Sequence, residues 1–151
     1  MLLSTILSPE RTLCGALASS KKRVLENAAS FIAESLPGVK SDELFANLVN
    51  RERLGSTGLG EGIAIPHCRL KSIQQVVGSL ITLAEPIDFE AIDDRPVDIL
   101  FVLVVPEDAT DEHLKTLAGL AELFSQPAFV DQLRQATDSD ALYRAAVSYP
   151  T

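Results

Sequence analysis

The sequence predicts an α/β fold in which a central run of strands lies between helices on both sides. Three observations predict it. Apolar residues recur at three- and four-residue spacing between Val24 and Val49. The middle of the chain holds three runs rich in Val, Ile, Leu and Phe, and helical spacing then returns for the last third. No repeat, low-complexity tract or linker interrupts the 151 residues, so residues 1–151 read as a single domain.

The first helix is announced by Ser20, ahead of Lys21-Lys22-Arg23, and Val24, Leu25, Ala28, Phe31, Ile32 and Leu36 form its stripe until Pro37-Gly38 stops it. Ser41 is the expected N-cap of a second helix, with Asp42 and Glu43 at its positive end, Leu44, Phe45, Leu48 and Val49 as its stripe, and Gly55 closing it. Gly55, Gly58, Gly60 and Gly62 then mark a loop. Strands are expected at Ile63–Ile65, Val76–Leu83 and Val97–Val105. The last reads as a strand buried on both faces and closed by Pro106. Thr110 can cap a helix with Asp111 and Glu112 in its first turn and His113, Leu117, Leu120, Ala121 and Phe124 along one side. Pro127 breaks the chain, and shorter helices follow at about Phe129–Ala136 and, capped by Ser139, at about Asp140–Ser148.

Composition bounds the function. A net charge of -8 weighs against nucleic acid or an anionic membrane as a direct partner and favours contact with other proteins. The longest strongly apolar run, Ile99 to Val105, is too short to span a bilayer, and the start Met1-Leu2-Leu3-Ser4 lacks a basic leader. Two cysteines, Cys14 and Cys68, make neither a disulfide framework nor a zinc spacing. A cytoplasmic protein with reduced thiols and no metal is expected.

The chain has two histidines. His67 follows Pro66 at a strand end beside the glycine loop, where the proline restrains the backbone leading into it. Local features leave it open between a reactive group and a satisfied surface or core histidine. His113, in the first turn of its helix, is either a packing residue or a ring that donates from one nitrogen and accepts at the other. Cys68 beside His67 does not make a nucleophilic pair, because adjacent residues in extended backbone point to opposite faces; a small buried thiol is expected. The glycine loop lacks the Gly-Lys-Ser/Thr ending of a nucleotide-binding loop, though its amides and the Ser56 and Thr57 hydroxyls suit a phosphoryl oxygen. Arg51 and Arg53 end the preceding helix, where the dipole alone already favours a cation.

The strings Arg51-Glu52-Arg53-Leu54-Gly55-Ser56-Thr57-Gly58 and Gly60-Glu61-Gly62-Ile63-Ala64-Ile65-Pro66-His67 resemble the phosphorylation signature of type-2 enzyme IIA domains. These are the fructose and mannitol class of the bacterial phosphotransferase system. The resemblance extends over essentially the whole chain, through Pro86-Ile87-Asp88-Phe89, Asp93, Pro96-Val97-Asp98, Pro106 and His113-Leu114. A freestanding domain of this length, with Ser-Lys-Lys-Arg before its first helix, is most similar to the nitrogen-regulatory branch.

The resemblance implies a single-domain α/β sandwich with a mixed sheet of about five strands between helical layers. It implies that His67 accepts a phosphoryl group on Nε2 from a phosphorylated HPr-like carrier, without a cofactor. Arg51 would pair the phosphoryl oxygens, His113 would hold or assist the group, and Ser56 and Thr57 would donate hydroxyl hydrogen bonds. The implied partners are that carrier and regulatory target proteins, with potassium transporters and sensor kinases among the classes. Two alternatives stay open: a sugar-specific enzyme IIA that passes phosphate to an enzyme IIB, and a binding module without phosphotransfer. Cys68 departs from the glycine that many relatives carry after the active histidine.

Overall fold

A computed structural model describes residues 2–109 and 111–150. The chain runs through α1 (Leu2–Ile6), a single 3-10 turn (Pro9–Arg11), β1 (Thr12–Ala16), α2 (Lys21–Glu34), α3 (Ser41–Glu52), β2 (Gly58–Gly60), β3 (Ile63–Ala64), β4 (His67–Leu70), β5 (Val77–Ile87) and β6 (Val97–Pro106). It ends with α4 (Asp111–Phe124), α5 (Pro127–Gln135) and α6 (Ser139–Ser148). The predicted α/β architecture is present, with a mixed sheet of six strands among the described residues.

β6 is the spine of the sheet. It pairs antiparallel with β5, and β5 pairs parallel with β1. Its other edge carries β3 and then β4, both parallel, in one unbroken register from Ile63 opposite Ile99 to Leu70 opposite Pro106. β2 lies outside β3 and antiparallel to it. Side chains of β6 alternate between two cores, as strand geometry demands. Leu100, Val102 and Val104 face α2 and α3, with Leu25, Ile32, Leu44 and Leu48. Ile99, Phe101 and Leu103 face α1 and α4–α6, with Leu120, Phe124, Phe129 and Leu142. Burial on both faces is why this segment reads as an uninterrupted apolar run.

Helix boundaries follow local chemistry, with corrections. Ser20 caps α2 as expected, its Oγ accepting from the Arg23 amide at 3.1 Å. Ser41 is not the cap of α3 but its first helical residue, after extended Lys40; Asp42 instead accepts from the Glu43 amide at 2.8 Å. Pro127 opens α5 at a position where a missing N–H costs nothing, rather than only breaking the chain. Asp138 caps α6, accepting from the Ala141 amide at 2.7 Å. Ser139, the expected cap, spends its Oγ on the Cys14 amide at 3.0 Å and so ties α6 to β1. Thr110, the expected cap of α4, lies outside the described residues. β1, β2 and β4 were not anticipated; they are three to five residues long, too short to show an alternation.

Candidate functional site

The break between β3 and β4 positions His67. Pro66 directs its carbonyl inward to the Leu103 amide at 2.9 Å, so the carbonyl of Ile65 points the other way, toward the edge of the sheet. β2 begins only at Gly58, and just ahead of it the Thr57 carbonyl takes the Ile65 amide at 3.0 Å. The His67 ring folds back over this edge and places Nδ1 2.8 Å from the Ile65 carbonyl. A carbonyl can only accept, so Nδ1 carries the proton and Nε2 presents a lone pair. Arg51, in the last turn of α3, donates to that lone pair from Nε at 3.2 Å and from Nη1 to the Gly55 carbonyl at 2.9 Å.

The half-buried ring stays neutral. Its pKa lies below the ordinary imidazole value, first because burial penalises the charged form. The Ile65 carbonyl opposes that shift, and the Arg51 charge adds to it.

His67 and Arg51 stand between two hollows. The first, of about 470 Å³, is also bounded by Asn47, Asn50, Arg69 and His113, with Leu54 and Leu114 at its mouth. Both leucines are exposed, at 83% and 60%, which leaves apolar surface around a polar centre. The structure thus brings His113, from the first turn of α4, to the same hollow as His67 and Arg51.

The second hollow is lined by Ser56, Thr57 and Gly58. Neither expected hydroxyl donor aims its proton at His67. Ser56 Oγ donates to the Phe89 carbonyl at 3.0 Å and accepts from the Gly58 amide at 3.1 Å. The Thr57 hydroxyl donates to the Glu52 carboxylate, which also accepts from the Thr57 amide at 3.2 Å. Arg53 is exposed and reaches Asn50.

Sequence reasoning missed Glu52 and Lys21. The Glu52 side chain is only 5% exposed, and Lys21 Nζ approaches it at 3.0 Å while lying 4.7 Å from the centre of the Phe89 ring. One signal was available: a carboxylate at the C-terminal end of a helix opposes the dipole, so it needs another reason to be there. That reason is the loop it holds.

Gly62 takes φ +85°, and a Cβ there would meet Arg134 Nη2 at 2.5 Å and Asp98 Oδ1 at 2.9 Å. The space is filled by the two-bonded Arg134–Asp98 pair (3.0 and 2.9 Å), and Arg134 also donates to the Glu61 carbonyl at 2.8 Å. A helix far along the chain thereby holds the glycine loop against β6. Cys68 points away from His67 into the core beneath α2 and α3, as expected, and burial pushes its thiol up to about 12. Thiolate is the reactive form, so a thiol reagent at pH 8 is expected to leave Cys68 unmodified in the native protein and to label it only after unfolding. Labelling of Cys68 in the folded state, read by peptide mass, would contradict this.

A family model described as the phosphoenolpyruvate-dependent sugar phosphotransferase system, EIIA 2, matches residues 5–147. The chain belongs to this family. The EIIA 2 match takes in every residue of the two hollows. The nitrogen regulatory protein of Pseudomonas aeruginosa is 48% identical over 145 residues, covering 96% of this chain and 94% of that protein. The crystal structure of nitrogen regulatory protein IIA-Ntr from Neisseria meningitidis matches this EIIA 2 chain with a TM-score of 0.88 at 37% identity, over 97% of this chain and 99% of the other. IIA mannitol from Escherichia coli shares the fold at a TM-score of 0.75 and 18% identity, over 92% of this chain and 97% of that one. The resemblance to type-2 enzyme IIA read from the signature strings therefore holds. No helix among the described residues is long and apolar enough to cross a membrane.

Proposed function

We propose that this EIIA 2 chain is a regulatory phosphocarrier of the cytoplasm: His67 accepts a phosphoryl group from a phosphorylated HPr-like carrier, and target proteins read the result. The observation that carries this reading is the His67 ring itself. Its proton is held on Nδ1 by the Ile65 carbonyl, which leaves the Nε2 lone pair facing an open hollow beside Arg51.

A neutral imidazole is a competent nucleophile, and phosphoryl transfer asks mainly for alignment and charge neutralisation. The bond from phosphorus to the donor's histidine breaks as the bond to Nε2 forms. The proton stays on Nδ1, donated to the Ile65 carbonyl, whose lone pair offsets the positive charge the ring acquires. Arg51 gives up Nε2 and turns its fork to the phosphoryl oxygens, a change of partner rather than of position. His113 reaches the group from the facing helix. Ser56 and Thr57 shape the loop that frames it, their hydroxyl protons being engaged elsewhere. No cofactor or metal enters the reaction.

Nearly two added negative charges at the centre of an apolar rim change which protein surfaces fit there. The near full-length nitrogen regulatory relatives favour regulatory targets, such as potassium transporters or sensor kinases, over a sugar-specific enzyme IIB. The test is incubation with phosphoenolpyruvate, enzyme I and an HPr-type donor, followed by intact mass. One acid-labile, base-stable phosphate on the peptide that holds His67 is expected; no uptake from any such donor would leave a binding module instead. Arg51→Ala is expected to slow transfer about a hundred- to a thousand-fold, the usual cost of one charge-stabilising donor. Unchanged transfer kinetics in that variant would remove the oxygen-pairing role.

A further inference from the structure

Asn47 and Arg51 lie one turn apart on α3, so both face β4. Arg51 meets the His67 ring, and Asn47 Nδ2 donates to the Arg69 carbonyl at 3.0 Å. Arg69 stands two residues beyond His67, on the same side of the strand. Its Nη1 donates to the carbonyls of Glu107 and Ala109, at 3.0 and 3.1 Å. Those carbonyls belong to the turn that closes β6 and leads into α4, whose first turn carries His113.

Burial along α4 makes this tie consequential. Leu120, Leu123 and Phe124 are buried at the far end of the helix, whereas Leu114 is exposed and His113 and Leu117 are only half-buried. Packing therefore pins the C-terminal half of α4 more firmly than its N-terminal turn, which follows closely on the turn at residues 107–109. A charged donor shared by two carbonyls is a stronger restraint on that loop than its neutral amide bonds.

We infer that Arg69 is a positioning residue that sets His113 relative to His67 by holding the turn at residues 107–109. What the two histidines do together rests on the phosphocarrier reading; the placement of His113 does not. One guanidinium links the strand that begins with His67 to the helix that begins beside His113, and Asn47 fixes its backbone to the helix that carries Arg51.

The test compares Arg69→Ala, Arg69→Gln and Arg69→Lys, alone and combined with His113→Ala. The ring carbon–proton signals of both histidines are recorded in the unphosphorylated protein, with urea midpoints and phosphoryl uptake rates beside them. Arg69→Ala is expected to shift the His113 ring signals, leave the urea midpoint in place and slow uptake about ten-fold, the scale of a modest misplacement of a reacting group. Arg69→Lys recovers most of the loss because it returns a cationic donor, and Arg69→Gln falls between them. In the His113→Ala background, Arg69→Ala adds no further loss.

The inference is overturned if the His113 signals stay in place in Arg69→Ala, or if the two losses add in full. Should the unsubstituted protein accept no phosphate, the phosphocarrier reading fails, while the ring signals still decide the role of Arg69. Should Arg69→Ala not fold, the Arg69→Gln cycle carries the same two outcomes.

Discussion

His67→Ala is expected to abolish phosphoryl uptake while the fold stays in place. The nucleophile is a single atom, Nε2, and alanine offers nothing in its stead. His113 does not substitute, because Arg51, with its Nε on His67 and its Nη1 on the Gly55 carbonyl, is organised around the other ring. A half-buried ring at the start of an edge strand contributes little to the core, so stability is expected to change by no more than about 1 kcal/mol. Residual phosphate on the variant, read by intact mass, would place the acceptor elsewhere.

The same ring sets a pH dependence. Burial depresses the folded pKa of His67 below its unfolded value, so the neutral ring persists below the ordinary imidazole pKa. Uptake is therefore expected to hold its rate as pH falls to about 6.5 and to decline only below that. The matching stability contribution is present above the unfolded pKa and lost as pH falls through the folded one. Urea midpoints of wild type and His67→Ala are expected to converge on acidification; a gap that widens instead has the sign wrong.

Glu52→Ala carries the largest expected effect on stability, about 3 kcal/mol. The carboxylate is almost wholly enclosed, and three donors converge on it: Lys21 Nζ, the Thr57 amide and the Thr57 hydroxyl. Its removal leaves an ammonium that is mostly covered and two polar groups without their acceptor. Lys21 keeps some solvent access and a weak second neighbour in Glu90 at 3.9 Å, which holds the loss to the lower end of the range for broken buried pairs. Glu52→Gln preserves the shape and one acceptor, so its loss is expected to be smaller. Urea unfolding with an unchanged slope measures both; a loss under about 1 kcal/mol for Glu52→Ala would mean that the loop holds itself.

The candidate site was legible where its signal is local. A proline before a histidine, a run of glycines and an arginine closing a helix are all neighbours in sequence, and the signature strings contain them. Glu52 lies inside the same string without standing out, because nothing local shows that Thr57 and Lys21 will close around it. The hydroxyls of Ser56 and Thr57 were legible as polar groups, but their directions depend on the Phe89 carbonyl and on Glu52. Arg69 and Arg134 read as ordinary surface cations until their partners, some 38 and 36 residues away, come into view.

The helical stripes, the twice-buried strand β6, the glycine loop, the nucleophile candidate and the family are all legible in the order of residues. Each is written in periodicity, in backbone restraint or in a contiguous string. Only closure of the chain sets the tautomer of His67, its contact with Arg51, the hollow it shares with His113, and the anchoring of the loop by Glu52 and Arg134. It also decided the short strands β1, β2 and β4, whose few residues take their form from the neighbours they pair with. Those features depend on which carbonyl is left free at a sheet edge and on which distant side chain fills a space. Such contacts exist only once the chain has closed on itself.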